Sequence, residues 1–190
     1  IHTHRPTGSG IELRTAGVHP WDADMQEVAT LGERLSDAQA VGETGLDFVH
    51  GPAREVQFGA LRAQLRIARE RGLPVVLHCV RAFEPLMREL AACEPRAVIF
   101  HGFIGSPEQA RQALTKGYFL SFGERAFASP KTVAALRETP LSQLFLETDD
   151  SPVPIAEIYA RAAEAKGVPA EELQRATLAN YERIFETQHG

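Results

Sequence analysis

The sequence predicts an α/β fold in which short parallel strands alternate with helices. Short apolar runs and amphipathic stretches follow one another along the chain, and the runs are apolar almost throughout, as strands buried on both faces are. Side chains able to bind a metal ion stand at the ends of several runs. Active-site residues at the carboxyl ends of many different strands are typical of a closed (β/α) barrel, so we favour that architecture.

An open doubly wound sheet is the other parallel architecture that fits the alternation. Its site usually lies at a single switch point and carries a glycine-rich phosphate loop. The sequence contains neither a G-x-G-x-x-G pattern nor a Walker pattern. The barrel therefore remains the preferred prediction.

The elements can be assigned from apolar periodicity and from the residues at their ends. Ser106 and Ser129 each precede a proline, which is a usual N-cap followed by proline at the first helical position, and Gly72 ends another helix. The predicted strands cover residues 10–18, 38–42, 73–78, 96–101, 117–122 and 144–147. The predicted helices cover residues 52–71, 82–93, 106–116, 129–138, 155–166 and 170–186.

Length and composition indicate one globular domain, residues 1–190, with a sizeable core. The net charge of -5 argues against a basic surface that coats nucleic acid, although a local metal cluster can supply positive charge to a nucleic-acid enzyme. The two cysteines are too few for a disulfide scaffold, which favours the cytoplasm. No apolar run approaches the roughly 20 residues that span a bilayer, so no membrane association is expected.

His2 and His4 lie two positions apart in an extended segment at the start of the sequence. Because strand side chains alternate between faces, both imidazoles should point to the same side. One rigid element would then offer two neutral nitrogen donors to a single metal ion. A chance or tag-like pair is the alternative interpretation.

Glu43 comes directly after the apolar run that ends at Gly42. A carboxylate flanked by glycines at the end of a strand indicates a close approach of the backbone to a site, whereas a solvated loop glutamate is the alternative. Its two oxygens can bridge two divalent ions. Asp47, four residues later, can orient Glu43 or a nearby histidine.

His78 and His101 end two successive apolar runs, and Asp149 follows a third. A lone histidine at a strand end is more often a satisfied core residue, but two in equivalent βα positions favour a shared role. For Asp149 the alternative role is capping the helix that follows. With Glu43 and the first histidine pair, these residues form six candidate ligands for a metal-dependent enzyme.

Two further residues are candidates for contact with a substrate. His19 lies between a valine and a proline and either contacts substrate or packs beside Trp21. Arg81 follows His78 by three residues and can hold a phosphate, with a surface salt bridge as the alternative. Cys79 should be turned away from the metal by strand alternation, as a buried thiol.

Four imidazoles with two carboxylates suit Zn²⁺, Mn²⁺, Fe or Ni²⁺ better than Ca²⁺, and loosely held Mg²⁺ is a further candidate. We therefore expect two divalent metal ions as cofactors.

Short motifs spread over essentially the whole chain resemble those of the TatD family and occur in the same order. They are His2-x-His4, Gly17-Val18-His19-Pro20, Gly42-Glu43-Thr44-Gly45-Leu46-Asp47, Pro74-Val75-Val76-Leu77-His78, Phe100-His101-Gly102-Phe103-x-Gly105, Leu146-Glu147-Thr148-Asp149 and the closing Asn180-x-x-x-x-Phe185.

The resemblance implies a TIM-type barrel of the amidohydrolase-like group and a metal-dependent hydrolase. It also implies cleavage of phosphodiester bonds of DNA, often from the 3′ end of single strands. The catalytic residues would be Glu43 and Asp149, with Asp149 taking a proton from the attacking water. The implied ligands are His2 and His4 on the first metal with Asp149 beside them, Glu43 between both metals, and His78 and His101 on the second metal.

The chain departs from the family pattern near its start, where 14 residues separate His4 from His19. The family usually has one or two further βα units there, so we expect a barrel that is reduced or irregular near its N-terminal βα units. A small phosphoester, lactone or amide is the alternative substrate, and a non-catalytic metal-binding module is the alternative function. We expect a monomer.

Overall fold

The computed structural model describes residues 2–4 and 10–186. Its strands are β1 His2–His4, β2 Gly10–Glu12, β3 Thr15–Ala16, β4 Ala40–Asp47, β5 Val75–Val80, β6 Val98–Phe100, β7 Phe119–Phe122 and β8 Leu144–Leu146. Its α-helices are α1 Met25–Arg34, α2 Arg54–Arg71, α3 Phe83–Cys93, α4 Pro107–Thr115, α5 Pro130–Glu138, α6 Ile155–Lys166 and α7 Ala170–Tyr181, which continues into a π-helical turn, Glu182–Glu186.

The chain forms two compact units. One is Arg14–Phe100, called here the Glu43 unit, and the other combines Ile1–Leu13 with His101–Gly190, called here the His101 unit. The single domain expected for residues 1–190 stays a prediction.

The Glu43 unit consists of parallel strands joined by helices. Strand β3 pairs with β4, β4 with β5, and β5 with β6, each in parallel register. Helices α1, α2 and α3 connect successive strands; α2 and α3 were predicted from the alternation of apolar runs and amphipathic stretches, whereas α1 was not. Strand and helix side chains meet in a core that includes Leu31, Leu61, Leu65, Val75 and Leu77.

Strand β4 is longer than the sequence indicated, because its pairing does not stop at Gly42. After a shift of register between Val41 and Thr44, the pairing with β5 resumes and continues to Asp47 opposite Val80. Glu43 therefore lies within β4 at this irregularity, and the expectation that it follows the strand was wrong.

The His101 unit contains the irregular start of the chain. Strands β1 and β2 form an antiparallel pair, in which His2 is opposite Glu12 and His4 is opposite Gly10. The predicted strand 10–18 is thus divided between β2 and β3, and no helix separates them. This arrangement agrees with the predicted irregularity near the N-terminal βα units.

Strands β7 and β8 of the same unit are parallel, and β1 lies beside β8. Aromatic side chains fill the core of this unit, with Phe122, Phe145 and Tyr159 almost fully buried. Phe185 packs against Phe145 with ring centroids 6.3 Å apart, which anchors the end of the last helix. The tip of β8 leads directly to Glu147 and Asp149.

Helix α4 begins with a complete capping box. The Ser106 hydroxyl accepts a hydrogen bond from the Gln109 backbone N–H, and the Gln109 side chain accepts one from the Ser106 N–H. We expect Ser106→Ala to lower the free energy of unfolding by about 1 kcal/mol in urea titrations, because a helical N–H loses its partner. Ser142→Ala, at an exposed position, is the control and should leave stability unchanged; equal stability of both variants would contradict the cap assignment.

Within residues 2–4 and 10–186, no helix is both long and apolar enough to cross a membrane.

Candidate functional site

Glu43 lies where two backbone segments come close together. Strand β4 carries it between buried neighbours, while its own side chain is partly exposed. A Cβ added at Gly17 would lie 2.8 Å from the carbonyl carbon of Gly42, so the segment before His19 can approach β4 only with glycine at position 17. The Gly42–Glu43 peptide bond is cis. This close approach brings the imidazole of His19 to the Glu43 carboxylate, with Nε2 and Oε2 3.7 Å apart.

His78 is held by a buried carboxylate. Its Nε2–H donates to Oδ2 of Asp47 over 3.0 Å, and the side chain of Asp47 is excluded from solvent. A neutral imidazole that donates from one nitrogen presents a lone pair on the other, so this hydrogen bond makes Nδ1 the donor atom for a metal. The suggestion that Asp47 orients a nearby histidine agrees with this geometry.

His19 makes a different hydrogen bond, which gives it a different chemistry. Its Nδ1 accepts from the backbone N–H of Trp21 over 3.2 Å, so a neutral ring carries its proton on Nε2, the atom that faces Glu43. The ring packs edge-on to His78 with centroids 4.5 Å apart. His19 thus presents a hydrogen-bond donor beside Glu43 and His78, as contact with an anionic substrate requires.

These three side chains form a cluster within the Glu43 unit. His19, Glu43 and His78 each offer one nitrogen or oxygen atom, and these atoms all lie within 4.8 Å of one another. One imidazole with a carboxylate is a donor pair that divalent transition metals bind. The residues therefore fit a metal ion, with Glu43 and His78 as the donors that have a lone pair to give.

Asp47 collects five hydrogen bonds. Besides His78, its side chain accepts from the indole N–H of Trp21 over 2.7 Å, from the ring of His50 over 3.2 Å, and from the backbone N–H groups of Val49 and His50. Burial alone would raise the pKa of Asp47, but the hydrogen bonds from Trp21 and His78 hold that pKa far below its ordinary value. The carboxylate stays ionised and fixes the rings around it.

The His101 unit contains a second histidine held by a buried carboxylate. Nδ1 of His101 lies 2.8 Å from Oε1 of Glu147, and the other carboxylate oxygen, Oε2, accepts a hydrogen bond from the Ser121 hydroxyl. Burial acts to raise the pKa of Glu147, yet the hydrogen bonds from His101 and Ser121 keep it below its ordinary value. Donation from Nδ1 places the lone pair of a neutral His101 ring on Nε2.

Asp149 lies on the Nε2 side of His101, with Oδ2 3.6 Å from that nitrogen. Its side chain is half exposed and its backbone has a φ of 50°. The nearness of His101, followed by the positive charge of Arg125, lowers the pKa of Asp149. Helix α6 begins at Ile155 after Pro154 and has no side-chain cap, so Asp149 does not cap it.

The remaining predicted residues lie as follows. Arg81 comes directly after β5, is exposed and has a φ of 50°. Cys79, next to His78, is partly buried, and desolvation raises the pKa of its thiol to about 12, so the thiol is a poor metal ligand. Strand β1 is present as expected, but the side chains of His2 and His4 lie outside the described residues, and their role as ligands stays a prediction.

Two residues of this environment were missed in the sequence. Glu147 was noted only as part of a motif, although an acidic residue that directly continues an apolar strand is itself a signal of a buried, partnered carboxylate. His50 was not among the candidates either, although its ring contacts Asp47 and Trp21.

A family model described as TatD related DNase matches residues 11–186 of the chain. Among curated proteins, the metal-dependent hydrolase YjjV of Escherichia coli K12, itself uncharacterized, is 32% identical over an alignment of 193 positions that covers 89% of this chain and 74% of YjjV. The 3'-5' ssDNA/RNA exonuclease TatD of Citrobacter rodentium is 30% identical over 203 residues, with 90% of this chain and 76% of that protein covered.

Solved structures agree with these matches. The crystal structure of YjjV has a TM-score of 0.80 at 30% identity and covers 90% of this chain and 76% of its own. A TatD family hydrolase from Entamoeba histolytica has a TM-score of 0.78 at 17% identity over 91% of this chain and 74% of its own, which supports the fold alone. The predicted α/β fold of TIM-barrel type is confirmed.

Proposed function

The chain belongs to the TatD-related DNase family of metal-dependent hydrolases, and on that basis we propose that it cleaves phosphodiester bonds of DNA. The strongest support for this proposal is the hydrogen bonding of two histidines. Two histidines, His78 within β5 and His101 directly after β6, each donate one ring N–H to a buried, ionised carboxylate and present a lone pair on the other nitrogen. Carboxylate-oriented histidines of this kind are the usual ligands of catalytic metals.

We propose that two divalent ions are held by the ligands expected from the sequence. In the Glu43 unit these are Glu43 and His78, and in the His101 unit they are His101 and Asp149. His2 and His4 complete the set, from the strand that lies beside β8. The carboxylate of Glu43 has two oxygens, either of which would bind a divalent ion in the Glu43 unit. The experiment below tests which of Zn, Mn, Mg, Ni and Fe supports activity.

Such ions supply positive charge that acidifies a water molecule and neutralises the phosphoryl oxygens. The residues of the chain then have separate tasks. Asp149 is half exposed and has a lowered pKa, so it is ionised and can take a proton from the attacking water. His19 can donate from Nε2 to a non-bridging phosphate oxygen, and Arg81, exposed after β5, can pair with the adjoining phosphate.

A metal-resolved nuclease assay tests this function. The purified protein is stripped with a chelator, reloaded separately with Zn²⁺, Mn²⁺, Mg²⁺, Ni²⁺ or Fe²⁺, and offered single-stranded DNA, duplex DNA and small substrates of the phosphoester, lactone and amide classes. We expect cleavage of DNA that depends on the metal, and single strands labelled at either end give the polarity. Turnover of a small ester, lactone or amide with no cleavage of DNA by any metal form would overturn the DNA assignment and leave a metal-dependent hydrolase.

The carboxylates behind the histidines should control metal affinity. We expect Asp47→Asn and Glu147→Gln each to weaken binding by about 10- to 100-fold, because the uncharged amide orients and polarises the imidazole less well. Bound metal is measured by elemental analysis during titration with a competing chelator.

Glu138→Gln is the matched control for these variants, since Glu138 pairs with Arg111 on the surface. An exposed ion pair contributes little to stability, and this one includes none of the proposed ligands. The metal affinity of Glu138→Gln should therefore equal that of the wild type. Unchanged affinity in both the Asp47 and the Glu147 variant would count against histidine ligation. The expected monomer and the cytoplasmic location stay predictions.

A further inference from the structure

Trp21 is the single tryptophan of the chain, and it is large, apolar and yet 51% exposed. Its polar atom has a partner, because Nε1–H donates to Oδ2 of the buried Asp47 over 2.7 Å. What remains exposed is therefore mainly the apolar surface of the indole. An indole held by one edge, with its surface open to solvent, is suited to stacking against a flat ligand.

The backbone around Trp21 is fixed as well. Gln57 is buried, and its amide donates to the carbonyl oxygens of Asp47, His50 and Pro52. A Cβ added at Gly51 would lie 2.9 Å from the Cα of Trp21, so the loop and the tryptophan pack closely. A rigid ring loses little conformational entropy when a ligand stacks on it, which favours binding.

The indole also lies directly beside the candidate metal ligands. Its ring centroid is 4.9 Å from that of His19 and 5.9 Å from that of His78, all within the Glu43 unit. A phosphate bound to a metal ion at Glu43 and His78 would keep the sugar and base attached to it within reach of the ring. The position thus matches the base that adjoins the cleaved bond.

We propose that Trp21 stacks on the nucleobase next to the phosphodiester that is hydrolysed, and so forms a base subsite of single-stranded DNA. This inference rests on the function proposed above. Every base has a π-face, so one indole accepts all four without reading sequence. In duplex DNA both faces of an internal base are already stacked, so the subsite favours unpaired ends.

The charge of the surrounding loop agrees with a nucleic-acid strand as the occupant. The guanidinium of Arg54 lies 4.1 Å above the ring of Phe48, in the segment that follows Asp47, and Arg54 is exposed. A cation held on an aromatic ring can meet a backbone phosphate while the indole meets the base.

Fluorescence gives a direct test, because all tryptophan emission comes from position 21. The metal-loaded wild type is titrated with dAMP, a nucleotide without a phosphodiester bond to cleave, and separately with deoxyribose 5-phosphate, which has the same phosphate and sugar but no base. We expect dAMP to quench the emission and to bind about tenfold more tightly or better than the sugar phosphate. Equal affinities, or no quenching by dAMP, would overturn the proposal.

A pair of variants separates stacking from the hydrogen bond to Asp47. Trp21→Phe and Trp21→Leu both lose the indole N–H, but only Trp21→Phe keeps an aromatic face. On oligodeoxythymidylate we expect the KM of Trp21→Leu to exceed that of Trp21→Phe by about fivefold or more. On an oligonucleotide of abasic sites the two variants should have equal KM.

The outcomes distinguish this proposal from the function on which it rests. Equal KM values of the two variants on both oligonucleotides would overturn the stacking while leaving DNA hydrolysis intact. Failure of the wild type to cleave DNA with any metal would overturn the function. A preference for small aryl phosphoesters that depends on Trp21, without any for oligonucleotides, would replace the nucleobase by an aromatic leaving group and so overturn the proposal.

Discussion

Glu43→Ala is expected to lower DNA hydrolysis on the order of 1,000-fold or more, to the background of the assay, while the fold is retained. Glu43 has a partly exposed side chain within β4, next to His19 and His78, so its removal takes away a proposed metal ligand without opening the core. Steady-state cleavage of labelled single-stranded DNA at saturating metal measures the loss, and circular dichroism checks the fold.

Asp149→Ala should cause a comparable loss, because it removes a side chain that we propose both as a metal ligand and as the acceptor of a proton from water. Glu138→Ala, which changes an exposed carboxylate on α5, is the control and should keep full activity. Full activity of purified Glu43→Ala or Asp149→Ala would contradict the role in metal binding and catalysis that we propose for that residue.

Gly45→Ala should have the largest effect on stability. A Cβ at position 45 would lie 1.9 Å from the carbonyl oxygen of His78, and the residue has a φ of +142°, which only glycine adopts without strain. The neighbouring atom is backbone in the paired strand β5, so neither partner can move without breaking the β4–β5 pairing. We expect a loss of about 3 kcal/mol or more in the free energy of unfolding, measured in urea.

Gly117→Ala is the matched control for that prediction. Gly117 also has a positive φ, +78°, but nothing lies within 4 Å of an added Cβ, so only the conformational strain of about 1 kcal/mol applies. Equal losses in the two variants would mean that the close approach of β4 to β5 contributes nothing.

The sequence predicted the elements well where a local signal marked both ends. The helix expected at 155–166 matches α6, because an amphipathic stretch there ends at Gly167, which adopts a left-handed conformation. Helix α1 was missed, although Asp24 caps it and its buried residues Val28 and Leu31 lie three positions apart; it contains Gly32, a residue of low helix propensity.

Features that depend on pairing between strands could not be predicted in the same way. The position of Glu43 within β4 follows from a register shift against β5, a strand more than thirty residues further along the chain. The site shows the same limit. His78 and His101 were recognisable as histidines that end apolar runs, but the bond between His101 and Glu147 joins residues 46 positions apart, which no local pattern reveals.

The side chain of Asp47 accepts hydrogen bonds from both Trp21 and His78. One carboxylate therefore ties the exposed aromatic ring to the ligand histidine. Residue changes at position 21 that alter which substrates bind would also disturb the imidazole through their common acceptor. In the evolution of such a protein, substrate preference and metal binding would therefore change together. A substitution of Trp21 would require a compensating substitution among the residues that contact Asp47.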